Sequence, residues 1–276
     1  MSAHSSETPQ RITTRQIIGR KGGEPLVCLT AYVAPMAALL DEVCDILLVG
    51  DSVGMVLHGM PNTIGVTLEM MILHGQAVMR GSRKALVVVD MPFGSYEGPP
   101  AQAYENAVRI LKETGAQAVK VESGADVADT IGYLTRRGVP VMGHVGLKPQ
   151  SVLMEGGFRA RGRKPEEVTC VVAEAEAAAS AGAFSVVVEG VSAALAAQVT
   201  AAISVPTIGI GASAGCDGQI LVAEDMLGLF EWTPKFVRRY SDIRGEIRRA
   251  VQSYAADVRS GAFPAAAETY FSKAKA

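Results

Sequence analysis

Cysteine is scarce in this chain of 276 residues, and it is never paired. Cys28, Cys44, Cys170 and Cys216 lie far apart with no CxxC among them. A disulfide framework is excluded on that count, and free thiols in a reducing cytoplasm are expected. Charge of one sign is also missing, since Lys+Arg 26 against Asp+Glu 28 leaves a formal charge of -2. A dedicated nucleic-acid binder normally carries a basic excess, so no nucleic-acid partner is expected. Long apolar runs are absent despite 49% hydrophobic residues and a mean hydropathy of +0.22. Polar residues interrupt every apolar stretch before the ~20 residues that a membrane span requires. The first residues, MSAHSSETPQR, contain no apolar signal core. Neither a membrane partner nor an exported fate is expected, and the location read from the chain is cytoplasmic. No Ser/Pro-rich linker divides the sequence. A prior of about 150 residues per domain allows two domains, yet barrels of about 250 residues commonly fold as one. The expected organisation is a flexible N-terminal tail over 1–10, one catalytic unit over 11–264 and a C-terminal tail over 265–276.

What the chain does have is a recurring pair, a short Val/Ile-rich run followed by a helical stretch. Strands are expected near Leu26 to Thr30, Asp45 to Gly50, Ala85 to Asp90, Ala118 to Glu122, Pro140 to His144, Phe184 to Glu189 and Pro206 to Ile210, with a weak eighth near Lys235 to Arg238. Helices are expected over Ala34 to Glu42, Leu68 to Arg80, Ala101 to Thr114, Ala125 to Arg136, Glu166 to Ala181, Ser192 to Ala202 and Ser241 to Ser260. Gly115, Gly138 and Gly182 stand where helices end just before strands, as left-handed caps require. Strands that are apolar along their whole length belong to a parallel sheet covered on both faces or closed on itself. Eight of them with intervening helices favour an α/β fold of the (β/α)8 TIM barrel type; a doubly wound open sheet is the alternative.

In such a barrel the active site forms at the C-terminal ends of the strands. Polar residues collect there: ILLVG runs into Asp51 and Ser52, LVVV into Asp90, AV into Lys120 and Glu122, PVMG into His144 and SVVV into Glu189. Buried charges without partners are strongly disfavoured, so this set reads as a site. Asp51, Asp90 and Glu122 are oxygen donors with no paired His or Cys, a set suited to a hard, partly hydrated cation such as Mg²⁺. Glu122 reaches the ion directly or through water; pairing of these carboxylates with Lys120 or an arginine is the competing account. Lys120 and Glu122 are two apart on one strand and share a face. Lys120 then holds a substrate carboxylate, stabilises an enolate oxygen or serves as a counter-ion. His144 is a substrate contact or a structural hydrogen-bonding residue. Glu189 ends an apolar run where desolvation raises a carboxyl pKa towards general acid and base work; a helix cap or a salt bridge is the other reading. The glycine-rich PTIGIGASAGCDGQ fits neither GxGxxG nor a Walker loop, and reads as a tight turn or a close backbone approach.

Several segments, taken together, carry a resemblance. LTAY at 29–32, VGDSVGMVLHG at 49–59, VTLEMMILHG at 66–75, VVVDMPFGSY at 87–96, AVKVESG at 118–124, MGHVGLKPQSV at 142–152, VVVEGV at 186–191, PTIGIGA from 206 and CDGQILV to 222 occur in the order and at the spacing of one family. The chain resembles the ketopantoate hydroxymethyltransferases of pantothenate biosynthesis over roughly Leu26 to Phe263. That resemblance implies a barrel of the phosphoenolpyruvate mutase and isocitrate lyase superfamily, Mg²⁺, 5,10-methylenetetrahydrofolate as one-carbon donor, and a homo-oligomer, usually a decamer. It places metal-binding positions on Asp51, Asp90 and Glu122, keto-acid contacts on Asp51, Ser52, Asp90 and Lys120, and the proton acceptor on Glu189. Val33, Ser123 and Ser213 depart from the usual pattern at positions where aspartate, glycine and glycine are common.

The implied reaction transfers a hydroxymethyl unit to 3-methyl-2-oxobutanoate, giving 2-dehydropantoate through a Mg²⁺-stabilised enolate. A metal-bound 2-oxo group acidifies C3, and Glu189 removes the proton. A lyase or mutase on the same barrel would need similar carboxylates, but the KKCGH-type cysteine loop of those enzymes is absent from this sequence. A metabolite-sensing barrel without catalysis would not need the complete carboxylate set.

Overall fold

The computed structural model describes residues 11–124 and 127–270. They form two compact units, one running through Ala223 and the other beginning at Glu224. The first is a closed barrel of parallel strands arranged in chain order: β1 (Leu26–Thr30), β2 (Ile46–Val49), β3 (Leu86–Asp90), β4 (Ala118–Glu122), β5 (Val141–Gly146), β6 (Ser185–Glu189), β7 (Thr207–Ile210) and β8 (Gly218–Leu221), which pairs back to β1. The helices are α1 (Thr14–Ile18), α2 (Ala34–Leu40), α3 (Val53–Val56), α4 (Leu68–Gly81), α5 (Pro100–Thr114), α6 (Val127–Thr135), α7 (Val152–Glu155), α8 (Pro165–Ser180), α9 (Ala193–Ala202), α10 (Ala223–Met226) and α11 (Ile243–Ser260). The expected (β/α)8 barrel is therefore the fold. The expected tail over 1–10, residues 125–126 and the end of the chain from 271 lie outside the described residues.

Strand β2 is buried at all of its positions, as are β3, β4 and β5. Apolar residues on both faces let one face pack under the helices while the other fills the barrel. The inward set includes Leu26, Cys28, Ile46, Leu48, Leu86, Val88, Ala118, Met142, Val187, Ile208 and Ile220, and Ile17 of α1 packs into the same cluster. Most of these lie in the lower part of the strands. Because side chains alternate with period two, the next inward positions above Val88, Ala118, Met142 and Val187 are Asp90, Lys120, His144 and Glu189. The alternation that fills the barrel also aims the ionisable groups into its mouth.

The eighth strand departs from expectation. Residues 235–238 form no strand, and β8 is Gly218–Leu221, which begins on the last two residues of the segment taken for a glycine-rich turn. Gly218 packs so closely that a Cβ there would lie 2.7 Å from Leu26 Cβ and 2.9 Å from Ile208 Cδ1. The glycine that disguises the strand is what lets it close the barrel.

Local signals fix the helices. Thr67 caps α4 by accepting from Met70 N, Ser192 caps α9 by accepting from Leu195 N, and Pro100 opens α5. Gly115 ends α5 at φ 80°. Two carboxylates, neither expected from the sequence, tie loops to the barrel wall. Asp41 accepts from Ser82 Oγ and from the backbone N–H groups of Arg83, Lys84 and Ala85. Asp217 accepts from Lys21 Nζ, Gly22 N, Thr207 N and Thr207 Oγ1.

In the second unit, Asp242 caps α11 by accepting from Gly245 N, and Gly261 ends it in the left-handed region at φ 74°. Ile247, Val251, Tyr254 and Val258 recur at helical spacing along α11, each about half exposed. No helix among the described residues is long and apolar enough to cross a membrane.

Candidate active site

The barrel register brings the expected residues together. Asp90 pairs in register with Lys120, Glu122 with His144, and Gly146 with Glu189. Asp51 follows β2, and its backbone N–H donates to Asp90 Oδ2 at 3.0 Å. Lys120 Nζ lies 2.9 Å from Asp90 Oδ1, a buried ion pair. Asp51, Asp90, Lys120, Glu122 and His144 are each 6% exposed or less, whereas the Glu189 side chain is 18% exposed and is the most open of the group. Ser52 stands beside them, with its Oγ 2.8 Å from Tyr32 Oη.

From Lys120 a chain of contacts runs towards Glu189. Lys120 Nζ lies 3.4 Å from His144 Nδ1, and His144 Nε2 lies 3.2 Å from Glu189 Oε2. An ammonium has only protons to offer, so Nδ1 must present its lone pair; the proton of the neutral ring then sits on Nε2, facing the carboxylate. Burial, followed by the charge of Lys120, holds the His144 pKa below its ordinary value, which keeps the ring neutral. His144 thus serves as a bracket between Lys120 and Glu189.

Electrostatics set the remaining groups apart. Burial, with Asp90 next to it, pushes the Asp51 carboxyl up to about 7 against the pull of Lys120 and Gln150. Burial likewise drives Glu122 well above the carboxylate range. Burial also works against the Lys120 ammonium, but Asp90, Asp51 and Glu122 outweigh it and the pKa is raised. The lysine therefore stays charged among carboxylates that resist full ionisation.

Two residues that sequence reasoning missed complete the arrangement. Gln150, 6% exposed, donates from Nε2 to Asp51 Oδ2 at 2.8 Å and to Met91 O at 3.0 Å, while its backbone N–H points between the Glu122 oxygens at 3.1 and 3.2 Å. Tyr96 Oη donates to Gln150 Oε1 at 2.6 Å and accepts from Glu122 N at 3.2 Å. The available signal was KPQS directly after β5, where Pro149 starts a short 3-10 turn that turns Gln150 back over the strand ends. A cavity of about 150 Å³ opens here, lined in part by Phe93, Tyr96, Glu122, Ser123, Lys148 and Gln150.

The donor chemistry fits a hard divalent cation at Asp51 and Asp90: adjacent buried carboxylates, with the Asp51 pKa raised first by burial and then by Asp90. Glu122 is engaged by the Gln150 backbone instead. Among the described residues, no three His, Cys, Asp or Glu side chains gather tightly enough to ligate one ion. Mg²⁺ commonly uses one or two carboxylates and keeps several waters, so two aspartates suffice. The three departures from the family pattern lie at loop positions. Ser123 Oγ accepts from His144 N, Ser213 Oγ accepts from Gly215 N, and Val33 precedes α2 without a side-chain cap.

A family model described as ketopantoate hydroxymethyltransferase matches residues 11–266. The chain belongs to that family. It is 70% identical over 274 residues to a 3-methyl-2-oxobutanoate hydroxymethyltransferase of Phenylobacterium zucineum (strain HLK1), covering 99% of this chain and 100% of that one. A protein of the same name from Caulobacter vibrioides (strain NA1000 / CB15N) is 69% identical over 273 residues, with 99% of each chain covered. Among solved structures, the fold is similar to that of 2,3-dimethylmalate lyase, a PEP mutase/isocitrate lyase superfamily member. The TM-score is 0.56 at 18% identity, covering 94% of this chain and 100% of that one. Phosphonopyruvate hydrolase, solved with oxalate and Mg²⁺, aligns at a TM-score of 0.58 and 12% identity, with 93% of each chain covered. Family membership and barrel fold thus agree with the resemblance read from the motifs.

Proposed function

We propose that this enzyme transfers the one-carbon unit of 5,10-methylenetetrahydrofolate to 3-methyl-2-oxobutanoate, consuming water and giving 2-dehydropantoate and tetrahydrofolate. The observation that carries the reading is the strand-end chain from Asp51 and Asp90 through Lys120 and His144 to Glu189, set in a chain 70% identical to a relative named for this reaction. Asp51 and Asp90 would hold one Mg²⁺, with Glu122 beside them, and the ion would supply Lewis-acid polarisation of the 2-oxo group.

The residues of the chain do the rest. Lys120 and Ser52 receive the keto acid, with the lysine charge assured by its carboxylate neighbours. Glu189 accepts the C3 proton. It is the most open of the ionisable strand-end groups, and His144 Nε2 lies 3.2 Å from its Oε2. Burial of the lysine, histidine and aspartates keeps bulk water from the carbon centre while it is nucleophilic. The reading extends to a homo-oligomer, supported by the exposed apolar stripe of α11 and by the family resemblance that suggests a decamer. It also extends to a cytoplasmic location, supported by the unpaired cysteines.

Purified protein mixed with 3-methyl-2-oxobutanoate and methylenetetrahydrofolate is expected to form 2-dehydropantoate with Mg²⁺ and not with EDTA. Cleavage of the keto acid instead of hydroxymethyl transfer would turn the assignment to a lyase.

A further inference from the structure

Gln150 is buried and uncharged, and the proposed reaction gives it no chemical task. Yet its side-chain amide and its backbone N–H are all engaged, two of these contacts falling on carboxylates. The side-chain nitrogen carries two protons, one directed at Asp51 Oδ2 and the other at Met91 O. Tyr96 Oη, donating to Oε1, fixes the amide the right way round, because exchanging its ends would set oxygen against oxygen at Asp51 and Met91. The backbone N–H holds Glu122 separately. One residue therefore restrains Asp51 with its side chain and Glu122 with its main chain.

This division bears on which ion the site takes. Ca²⁺ accepts six to eight oxygens and readily takes both oxygens of one carboxylate at about 2.3–2.6 Å, whereas Mg²⁺ demands single oxygens in a near-ideal octahedron at about 2.0–2.1 Å. With one lone pair of Oδ2 engaged by an amide proton that also fixes the carboxylate's orientation, Oδ1 is the less encumbered oxygen that Asp51 offers an ion. We infer that Gln150 sets the metal choice of the site by holding Asp51 to one-oxygen ligation, which favours Mg²⁺ over Ca²⁺. It is a positioning residue: it acts through Asp51 and needs no contact with ion or substrate. The inference rests on the reading that Asp51 is a cation ligand.

Gln150→Met tests it, since methionine keeps the length and approximate volume and removes both side-chain hydrogen bonds. The backbone N–H on Glu122 remains. Calorimetric titration of the EDTA-stripped full chain with Mg²⁺ and then Ca²⁺, without substrate, reads the affinity ratio directly. Loss of a partner that orients a metal ligand typically lowers affinity by about 10- to 100-fold. Mg²⁺ affinity is expected to fall by about tenfold while Ca²⁺ affinity holds or rises, moving the ratio by at least about tenfold. Equal weakening for both ions, with the ratio unmoved, overturns the inference and leaves Gln150 a purely structural residue. If Gln150→Met does not fold, Tyr96→Phe frees Oε1 while retaining the glutamine. A smaller shift in the same direction supports the inference, and an unmoved ratio overturns it. A wild-type chain that binds neither ion removes the cation reading and this inference together. A wild-type chain that binds Mg²⁺, with variants that keep its selectivity, removes the inference alone.

Discussion

Lys120 has two duties, and its substitution should expose both. Its ammonium is the group proposed to receive the keto acid, and it also lies 2.9 Å from Asp90 within the barrel. Lys120→Ala is expected to raise the dissociation constant for 3-methyl-2-oxobutanoate. By leaving a buried carboxylate unpaired it should also cost roughly 3–5 kcal/mol of stability. Substrate titration and denaturant unfolding measure the two effects separately, and an unchanged dissociation constant takes Lys120 out of the substrate site. Glu189→Gln is the cleaner probe of chemistry, because the amide keeps the shape but cannot accept a proton. Exchange of the C3 hydrogen with deuterated solvent, followed by NMR without folate, should slow by about 10²- to 10⁴-fold while Mg²⁺ and keto acid still bind. Exchange at the wild-type rate would give the base role to another group. His144 is poorly placed for it, with Nδ1 facing an ammonium and its proton already on Nε2. The ionisable members of this site were legible in the sequence because strand ends are where a barrel gathers them. Gln150 and Tyr96 were not, because an amide and a phenol on loops carry no charge pattern and reveal their role only through distances.

Secondary structure follows the same division. Of the seven readable strands, β2 to β6 stand out as nearly unbroken apolar runs, and glycines with positive φ mark the approach to β4, β5 and β6. β8 was hidden because closure of the barrel demanded Gly218 and placed the exposed Gln219 beside it, which breaks the apolar signature. Tertiary crowding, rather than local propensity, selected that residue. The physical claim is testable: Gly218→Ala would set a methyl 2.7 Å from Leu26 Cβ and from Leu26 O, neither of which yields cheaply. Overpacking of this kind costs about 1–3 kcal/mol. A thermal or urea melt of the variant should show that loss, whereas wild-type stability would mean that β8 is free to move away from β1.

Over the barrel unit as a whole, the carboxylates oppose one another as pH changes. Asp41 is buried, which alone would raise its pKa, but hydrogen bonds from Ser82 and the backbone of Ala85, Arg83 and Lys84 bring it below 3.8; Asp217 is lowered in the same way. Their stabilisation is present above the unfolded pKa and lost as pH falls through the folded one, so they protect the fold down into acid. Asp51 has the opposite sign. Its pKa rises from 3.8 to about 7, so its contribution is fully present below 3.8 and is lost as pH climbs through about 7. Glu122, also raised, adds to that loss. Burial is the larger cause of the Asp51 shift and Asp90 the next; a cation at the two aspartates would offset both by pairing with the ionised carboxylates, so stabilisation by Mg²⁺ should grow with pH. Urea midpoints at pH 6 and pH 8, each in EDTA and in Mg²⁺, check this; His144, whose lowered pKa works the other way, is cancelled by running Asp51→Asn in parallel. In EDTA, the wild type should lose more stability between the two pH values than Asp51→Asn does. Mg²⁺ should close most of that gap in the wild type and little of it in the variant. The absence of a gap would mean that Asp51 is already ionised at pH 6 in the metal-free barrel, and the case for a site strained towards a cation would fall with it.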